Sequence, residues 1–330
     1  MLRTARYLIS SALLLAGTLG GSMGASAQTI ELNAGHVLTT ASHYHAAAAK
    51  LAELVAEKSK GQIKINVFPA AQLGGEVKMI QSVRTGTQDI VVTGEAPLEN
   101  TVKDYTVFSF PYLFSSVDEA NKTLQGPIGK EMLGLLPQYG MVGLGFISAL
   151  ERNVFTNGRV IKTAADMQGL KIRVIPGPGY VTAYKALGAQ PTPMAYTELY
   201  MALQNGAVDA GENSPDLFLQ DRFIEVSKTY SFTKIMYMPA LIIISKAKWD
   251  GFTPDQQKIF REAAAEAVTF AIGHYKKDYA AAIETMKAGG KVQIVEPDLA
   301  TFRATAPDVY AALLKEFPQA KPWLDKIKAQ

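Results

Sequence analysis

The sequence predicts an α/β fold of two lobes built on parallel strands and tied together by one long helix, and three observations lead there. Two separate stretches, 29–95 and 171–213, each run strand, helix, strand, helix, strand, an order that gives parallel strands with right-handed crossovers. A helical pattern over 253–287 would be roughly 50 Å long, more than one small lobe is wide. The chain has 330 residues, 48% of them hydrophobic and 19% charged, which is enough for two domains that each bury a core.

Residues 1–27 are of another kind. Arg3 and Arg6 precede an apolar run over 8–19, and small residues end in Ala25-Ser26-Ala27 before Gln28. That is the pattern of a secretory signal with an A-x-A cleavage site, and its apolar run is too short to span a bilayer. The expected mature chain starts at Gln28, is periplasmic, and spans no membrane. Without Arg3 and Arg6 it carries 31 basic and 30 acidic residues, so no charge excess points to nucleic acid. Cysteine is absent, which excludes disulfides, thiol chemistry and thiolate metal sites in an exported chain.

In the first lobe a strand over 29–37 precedes a helix over 42–60, with Ala46 to Ala49 at its centre and Gly61 past its end. A strand over 63–68, a helix over 75–85 closed by Gly86, and a strand over 89–93 leading to Gly94-Glu95 complete the run. The aromatic Phe108-Ser109-Phe110-Pro111-Tyr112 reads either as a stacking surface for a ligand or, by the usual burial of aromatics, as core beneath a loop. Helices over 117–124 and 130–138 and an apolar strand over 141–147 follow.

The second lobe opens on Lys171-Ile172-Arg173-Val174, whose alternation is that of a strand with one packed face, stopped by Pro176-Gly177. Arg173 points away from that face. A helix over 180–187 is closed by Gly188, an extended 190–193 follows, and a helix over 197–205 closed by Gly206 leads to a strand over 208–213. Such sheets bind ligands beyond the carboxyl ends of their strands, where Arg173 and Asn213 lie. Next come a helix over 217–223 and a buried strand over 236–244. Thr253-Pro254-Asp255-Gln256 then starts the long helix with a cap, a first-position proline and a glutamine placed for a capping box. A break at Gly273 would split it into two helices. A strand over 291–296 and a terminal helix over 307–316 end the chain. The lobes are expected at 28–150 plus 239–278 and at 151–238 plus 279–330.

The blocks K-I-R-V from Lys171, A-L-G-A-x-P-x-P-M from Ala186, E-L-Y-x-A-L-Q-N-G-x-V-D from Glu198, and the closing E-N at Asn213 resemble the substrate-binding subunits of tripartite ATP-independent periplasmic (TRAP) transporters. The resemblance covers nearly the whole mature chain. It implies a two-lobed periplasmic binding protein with hinge-linked lobes and a spine helix spanning both. It also implies a small organic acid as ligand, an ion-gradient-driven membrane permease as partner, and no cofactor. Arg173 falls on the arginine that clamps the ligand's carboxylate, Asn213 on the asparagine of E-N, and Tyr196 on the aromatic after P-M-A. His36 after the first strand and Glu95 after the third would line the same cleft. Many members have a second arginine shortly before a T-N pair. Here Glu151-Arg152-Asn153-Val154-Phe155-Thr156-Asn157 puts Arg152 one place earlier than in some.

Each of these residues also has a plain structural reading. Arg173 could be half of an ion pair, Arg152 could pair with Glu151 or another acid, Glu95 could be a solvated turn residue, and His36 a satisfied core histidine. A guanidinium in a closing cleft, however, matches a carboxylate with two parallel hydrogen bonds, a geometry lysine lacks. Glu95 and His36 suit ligand hydroxyls, which favours a sugar acid such as a uronate or aldonate over a C4-dicarboxylate. Gly177-Pro178-Gly179 could offer backbone N–H groups to an anion, or be only a turn. His43 and His45, two apart on a helix, do not face each other as metal ligands would. The one G-x-S-x-G, Gly20 to Gly24, lies in the signal and is no nucleophile elbow. The rival readings are a solute receptor of an ATP-driven transporter or sensor, lacking the spine helix, and an exported enzyme using Glu95 and Glu212 as an acid-base pair.

Overall fold

The structure is a computed structural model that describes residues 29–330; the expected secretion signal lies outside them. In the first lobe β1 (Ile30–Gly35), α1 (His43–Lys58), β2 (Ile63–Phe68), α2 (Glu76–Thr85) and β3 (Ile90–Gly94) follow the expected order. The Ser42 hydroxyl accepts from the His45 N–H and starts α1, while Gly86, at φ 80°, ends α2 in the left-handed conformation that glycine adopts without strain. Then come α3 (Val117–Gln125), α4 (Pro127–Leu133) and β4 (Met141–Thr156). The second run is β5 (Lys171–Val174), α5 (Pro178–Ala186), β6 (Gln190–Pro193), α6 (Leu199–Gln204) and β7 (Ala210–Asn213). The chain ends with α7 (Pro215–Gln220), β8 (Thr229–Ser245), α8 (Lys246–Asp250), α9 (Pro254–Gly289), β9 (Gln293–Val295), α10 (Leu299–Glu316) and α11 (Lys321–Lys328).

Both strand triplets are parallel with their first strand in the middle: β1 lies between β2 and β3, and β5 between β6 and β7. The triplets do not form separate sheets. β4 and β8 pair antiparallel from Met141↔Ser245 to Thr156↔Thr229, β8 borders β3, and β4 borders β7, so one sheet of nine strands runs through both lobes. These two strands are 16 and 17 residues long, about twice the expected apolar runs. The polar residues Glu151, Arg152 and Asn153 in the second half of β4 and Ser231, Thr233 and Lys234 in the first half of β8, stretches that pair with one another across the ladder, break the apolar pattern.

The ladder slips between Arg152 and Val154, and Lys234 opposite has φ 48°. Side chains bridge the gap: the Lys234 N–H donates to Asn153 Oδ1 at 2.9 Å and the Val154 N–H to Thr233 Oγ1 at 3.1 Å. A bulge held by side chains bends a strand more easily than a regular ladder.

The helix α9 is a single element of 36 residues, about 54 Å long, that continues through Gly273. Thr253 and Gln256 form its capping box. It packs on α1, β4 and α7 and so spans the two lobes. Phe108 and Phe110 are 2% and 1% exposed, in the core rather than on a binding surface.

Several expected elements are corrected. The helix expected over 130–138 is α4 plus a 3-10 turn at Leu136–Tyr139, because Pro127 and Pro137 each start a new turn. The helix over 197–205 opens as a 3-10 turn at Tyr196–Glu198, and that over 217–223 begins at Pro215. Pro307 lies inside α10, which starts at the Asp298 cap, and α11 was not expected at all.

Candidate functional site

Arg173 is the last residue but one of β5 and is fully buried, although it lies on the strand's polar face; Val37, Leu38, Tyr44 and Glu76 of the first lobe share its cavity. Its Nε and Nη2 donate to the Met194 carbonyl at 3.1 and 3.0 Å, and its Cζ lies 5.6 Å from the centre of the Tyr196 ring. Nη1 meets no acceptor of the protein. A backbone carbonyl thus aims the guanidinium, leaving one edge for something the chain does not supply. Burial pushes its pKa down while Glu212 nearby opposes the fall.

Arg152 is arranged differently. Its Nε and Nη2 bind Glu212 Oε2 and Oε1 at 2.5 and 3.0 Å, Nη2 also reaches the Glu212 carbonyl at 2.8 Å, and Nη1 donates to Asn213 Oδ1 at 2.6 Å. This is a fork-on-fork pair out of contact with water. From Asn213 the chain of bonds continues: Nδ2 donates to the Tyr196 hydroxyl at 3.0 Å, which donates to Asp221 at 2.5 Å. Arg152 therefore fixes the end of β7, and through it Asn213 and Tyr196, next to Arg173.

Two carboxylates of the first lobe are buried near this group, Glu76 on the wall of the cavity and Glu95 off it. Glu95 is fully buried and neither of its oxygens meets a donor of the protein. Burial holds its carboxyl well above the usual range, with Glu99 adding to the effect. Glu76, in the first turn of α2, accepts from the Thr93 hydroxyl and the Gly94 N–H, both at 3.0 Å, through one oxygen. Sequence reasoning missed Glu76. The signal was its place in the first turn of a helix that follows a strand's carboxyl end. His36 lies one layer behind, its Nε2 3.1 Å from His45 Nδ1, with burial lowering its pKa to about 4.

Arg152, Arg173, Tyr196 and Asn213 from one lobe, and Tyr44 and Glu76 from the other, line an inner cavity of about 20 Å³. That is room for one water, so a sugar acid needs the lobes further apart. Glu76 and Tyr196 also line a groove of about 550 Å³ that leads outward between α2 and Ala195.

On the side wall the Gly177-Pro178-Gly179 turn does meet an anion, and it is the protein's own. Glu99 accepts the Gly179 N–H at 2.7 Å and the Ser109 hydroxyl, while Asn100 Nδ2 donates to the Pro176 carbonyl at 2.6 Å. Burial raises the Glu99 pKa to about 7, moderated by these donors. The approach is close: a Cβ on Gly177 would lie 2.6 Å from the Ala96 carbonyl oxygen.

His43 and His45 part company as the spacing implied. His43 packs edge-on against Tyr44 and Tyr275, and His45 meets His36. Among the described residues no group of three or more metal-ligating side chains comes together. Both Glu212 oxygens are held by Arg152, so Glu212 is not a free partner for Glu95 in the acid-base pair considered from the sequence.

Comparison with known proteins gives the family. The family described as bacterial extracellular solute-binding protein, family 7, matches residues 34–316. The 2,3-diketo-L-gulonate-binding periplasmic protein YiaO of Escherichia coli (strain K12) is 31% identical over 320 residues, 97% of either chain. A TRAP periplasmic solute-binding protein from Polaromonas sp. JS666, solved bound to D-erythronate, is 34% identical with a TM-score of 0.87, over 91% of this chain and 98% of that one. Another, from Sulfitobacter sp. NAS-14.1 with bound β-D-galacturonate, is 28% identical with a TM-score of 0.87, over 91% and 100%. No helix among the described residues is long and apolar enough to cross a membrane.

Proposed function

The chain belongs to family 7 of the bacterial extracellular solute-binding proteins, and from that premise we propose that it captures a sugar acid between its lobes in the periplasm and hands it to a TRAP permease. The observation that carries this reading is Arg173: a buried guanidinium at the lobe boundary, aimed by a carbonyl, with Nη1 unpartnered by the protein. A ligand carboxylate completes it. Asn213 and Tyr196 flank the same spot, and Arg152 lines the cavity while holding them in place. Across the cleft Glu95 and Glu76 accept from ligand hydroxyls and repel a second carboxylate, with His36 backing that wall. Such a site prefers a polyhydroxylated monoacid to a C4-dicarboxylate. The ligands of the relatives above, 2,3-diketo-L-gulonate, D-erythronate and β-D-galacturonate, are of that kind.

The division into 28–150 plus 239–278 and 151–238 plus 279–330, export through the 1–27 signal, and capture without turnover belong to the same proposal. A thermal-shift screen with uronates, aldonates, dicarboxylates, oxo acids and amino acids tests it. A ligand at a thousand times its Kd stabilises by about 4 kcal/mol, a shift of several degrees. The expected best ligand is a sugar acid, recovered unchanged, and Arg173→Ala loses the shift while its ligand-free melting point stays within a few degrees. Undiminished affinity in that variant overturns the clamp.

A further inference from the structure

Resting on the reading of the cleft as the acid-binding site, we propose that Glu95 guards against closure without a guest: the lobes shut only when ligand hydroxyls, or a proton, reach its carboxylate. Glu95 follows β3, its N–H bonded to the Pro239 carbonyl, and the next turn carries Glu99 to the Gly179 N–H of the second lobe. The charges that act on it are those of Arg152 and Glu212 from the second lobe and Glu76 and Glu99 from the first, and its own charge is felt by Tyr180, Tyr44 and Tyr105. Arg152, the cation of this group, is taken up by Glu212 in the fork-on-fork pair. The acids around Glu95 outnumber what remains.

With the lobes together Glu95 is fully buried and the protein gives neither oxygen a hydrogen bond. An ionised carboxylate in such a place is costly and is relieved by protonation or by outside donors. With the lobes apart, water supplies those donors. Arg173 imposes the matching requirement at the other end, since its Nη1 is equally without a protein partner. Closure therefore asks a guest for an anionic end and a hydroxyl end at once, and only the second demand can be met by a proton.

The sign follows. The Glu95 carboxyl is held well above the ordinary range by burial and by Glu99, with Arg152 pulling it down and Glu76 and Glu212 raising it. The lobes-apart form exposes it, with a pKa near the ordinary value of about 4.3. Guest-free closure thus takes up a proton. It becomes easier as pH falls from the raised value toward about 4.3, by up to about tenfold in the closure equilibrium per pH unit. Glu99, at about 7, adds in the same direction if its bond to Gly179 breaks on opening.

The chain has no cysteine, so cysteines placed at the exposed positions Glu53 on α1 and Gln204 on α6 can carry two spin labels. The inter-lobe distance distribution of ligand-free protein, measured by pulsed electron resonance from pH 8 to pH 5, reads the closure equilibrium. The expected result is an open population at pH 8 that gives way to a closed one on acidification. In Glu95→Gln the closed population is already raised at pH 8, and Glu95→Gln with Glu99→Gln shows a weaker pH dependence than wild type, the remainder coming from Glu76, which burial on the cavity wall also holds above its ordinary range. A wild-type distribution indifferent to pH, or a Glu95→Gln distribution matching wild type at pH 8, overturns the proposal. The wild-type series stands even if the variants do not fold. Because no ligand is added, failure of the acid screen and failure of the guard are separate results.

Discussion

Two arginines 21 residues apart have opposite tasks because of what each finds on folding. Arg152 meets a carboxylate that occupies it on both sides, and Arg173 meets only a carbonyl. Arg173→Lys keeps the charge but loses the fork, so affinity for the best acid, measured by titration calorimetry, is expected to fall about 10- to 100-fold, equivalent to roughly 1.5–3 kcal/mol. Glu212→Gln instead leaves a buried guanidinium uncompensated. It is expected to lower unfolding stability in urea by about 3–5 kcal/mol. Equal stability losses in the two variants would mean that the roles are not divided in this way.

At the level of elements, the turn from β5 into α5 fits against the first lobe with no space for a side chain. Gly177→Ala would drive a methyl into the Ala96 carbonyl oxygen. The backbone cannot yield there without parting the lobes, so ligand affinity is expected to drop at least tenfold with little loss of stability in the open form. The spine shows the reverse case. Gly273 is exposed in mid-helix, and a Cβ there meets nothing within 4 Å. Gly273→Ala is expected to stabilise by about 0.8–1 kcal/mol, raising the melting temperature by about 1–2 °C in a scanning calorimeter. A fall in melting temperature would show that the helix needs to bend at that point.

Across the whole molecule, β4, β8 and α9 connect the lobes, and the β4–β8 ladder slips at three places, the one at Asn153 and Lys234 being bridged by side chains. Closure is expected to be a rotation about a few residues of these connections, with the cleft chemistry deciding its end point. At pH 8, saturating sugar acid is expected to shorten the distance between labels at Glu53 and Gln204 in wild type. Arg173→Ala should stay open under the same concentration. A ligand that binds without changing the distance would separate capture from closure.

The local signals were enough to read the parallel triplets, the unbroken spine and Arg173 with Asn213 at strand ends, because hydrophobic period, caps and glycine stops act over a few residues. Folding alone decided that β4 and β8 fuse two sheets into one, since polar residues at the hinge hide the strand pattern. It also decided that Arg152 pairs with an acid 60 positions away, that Glu76 reaches the cleft, and that the anion at the Gly177 turn is Glu99. Each of these depends on which distant side chain arrives within 3 Å, and in a buried site the satisfaction of charges and hydrogen bonds is settled by that arrival rather than by neighbours along the chain.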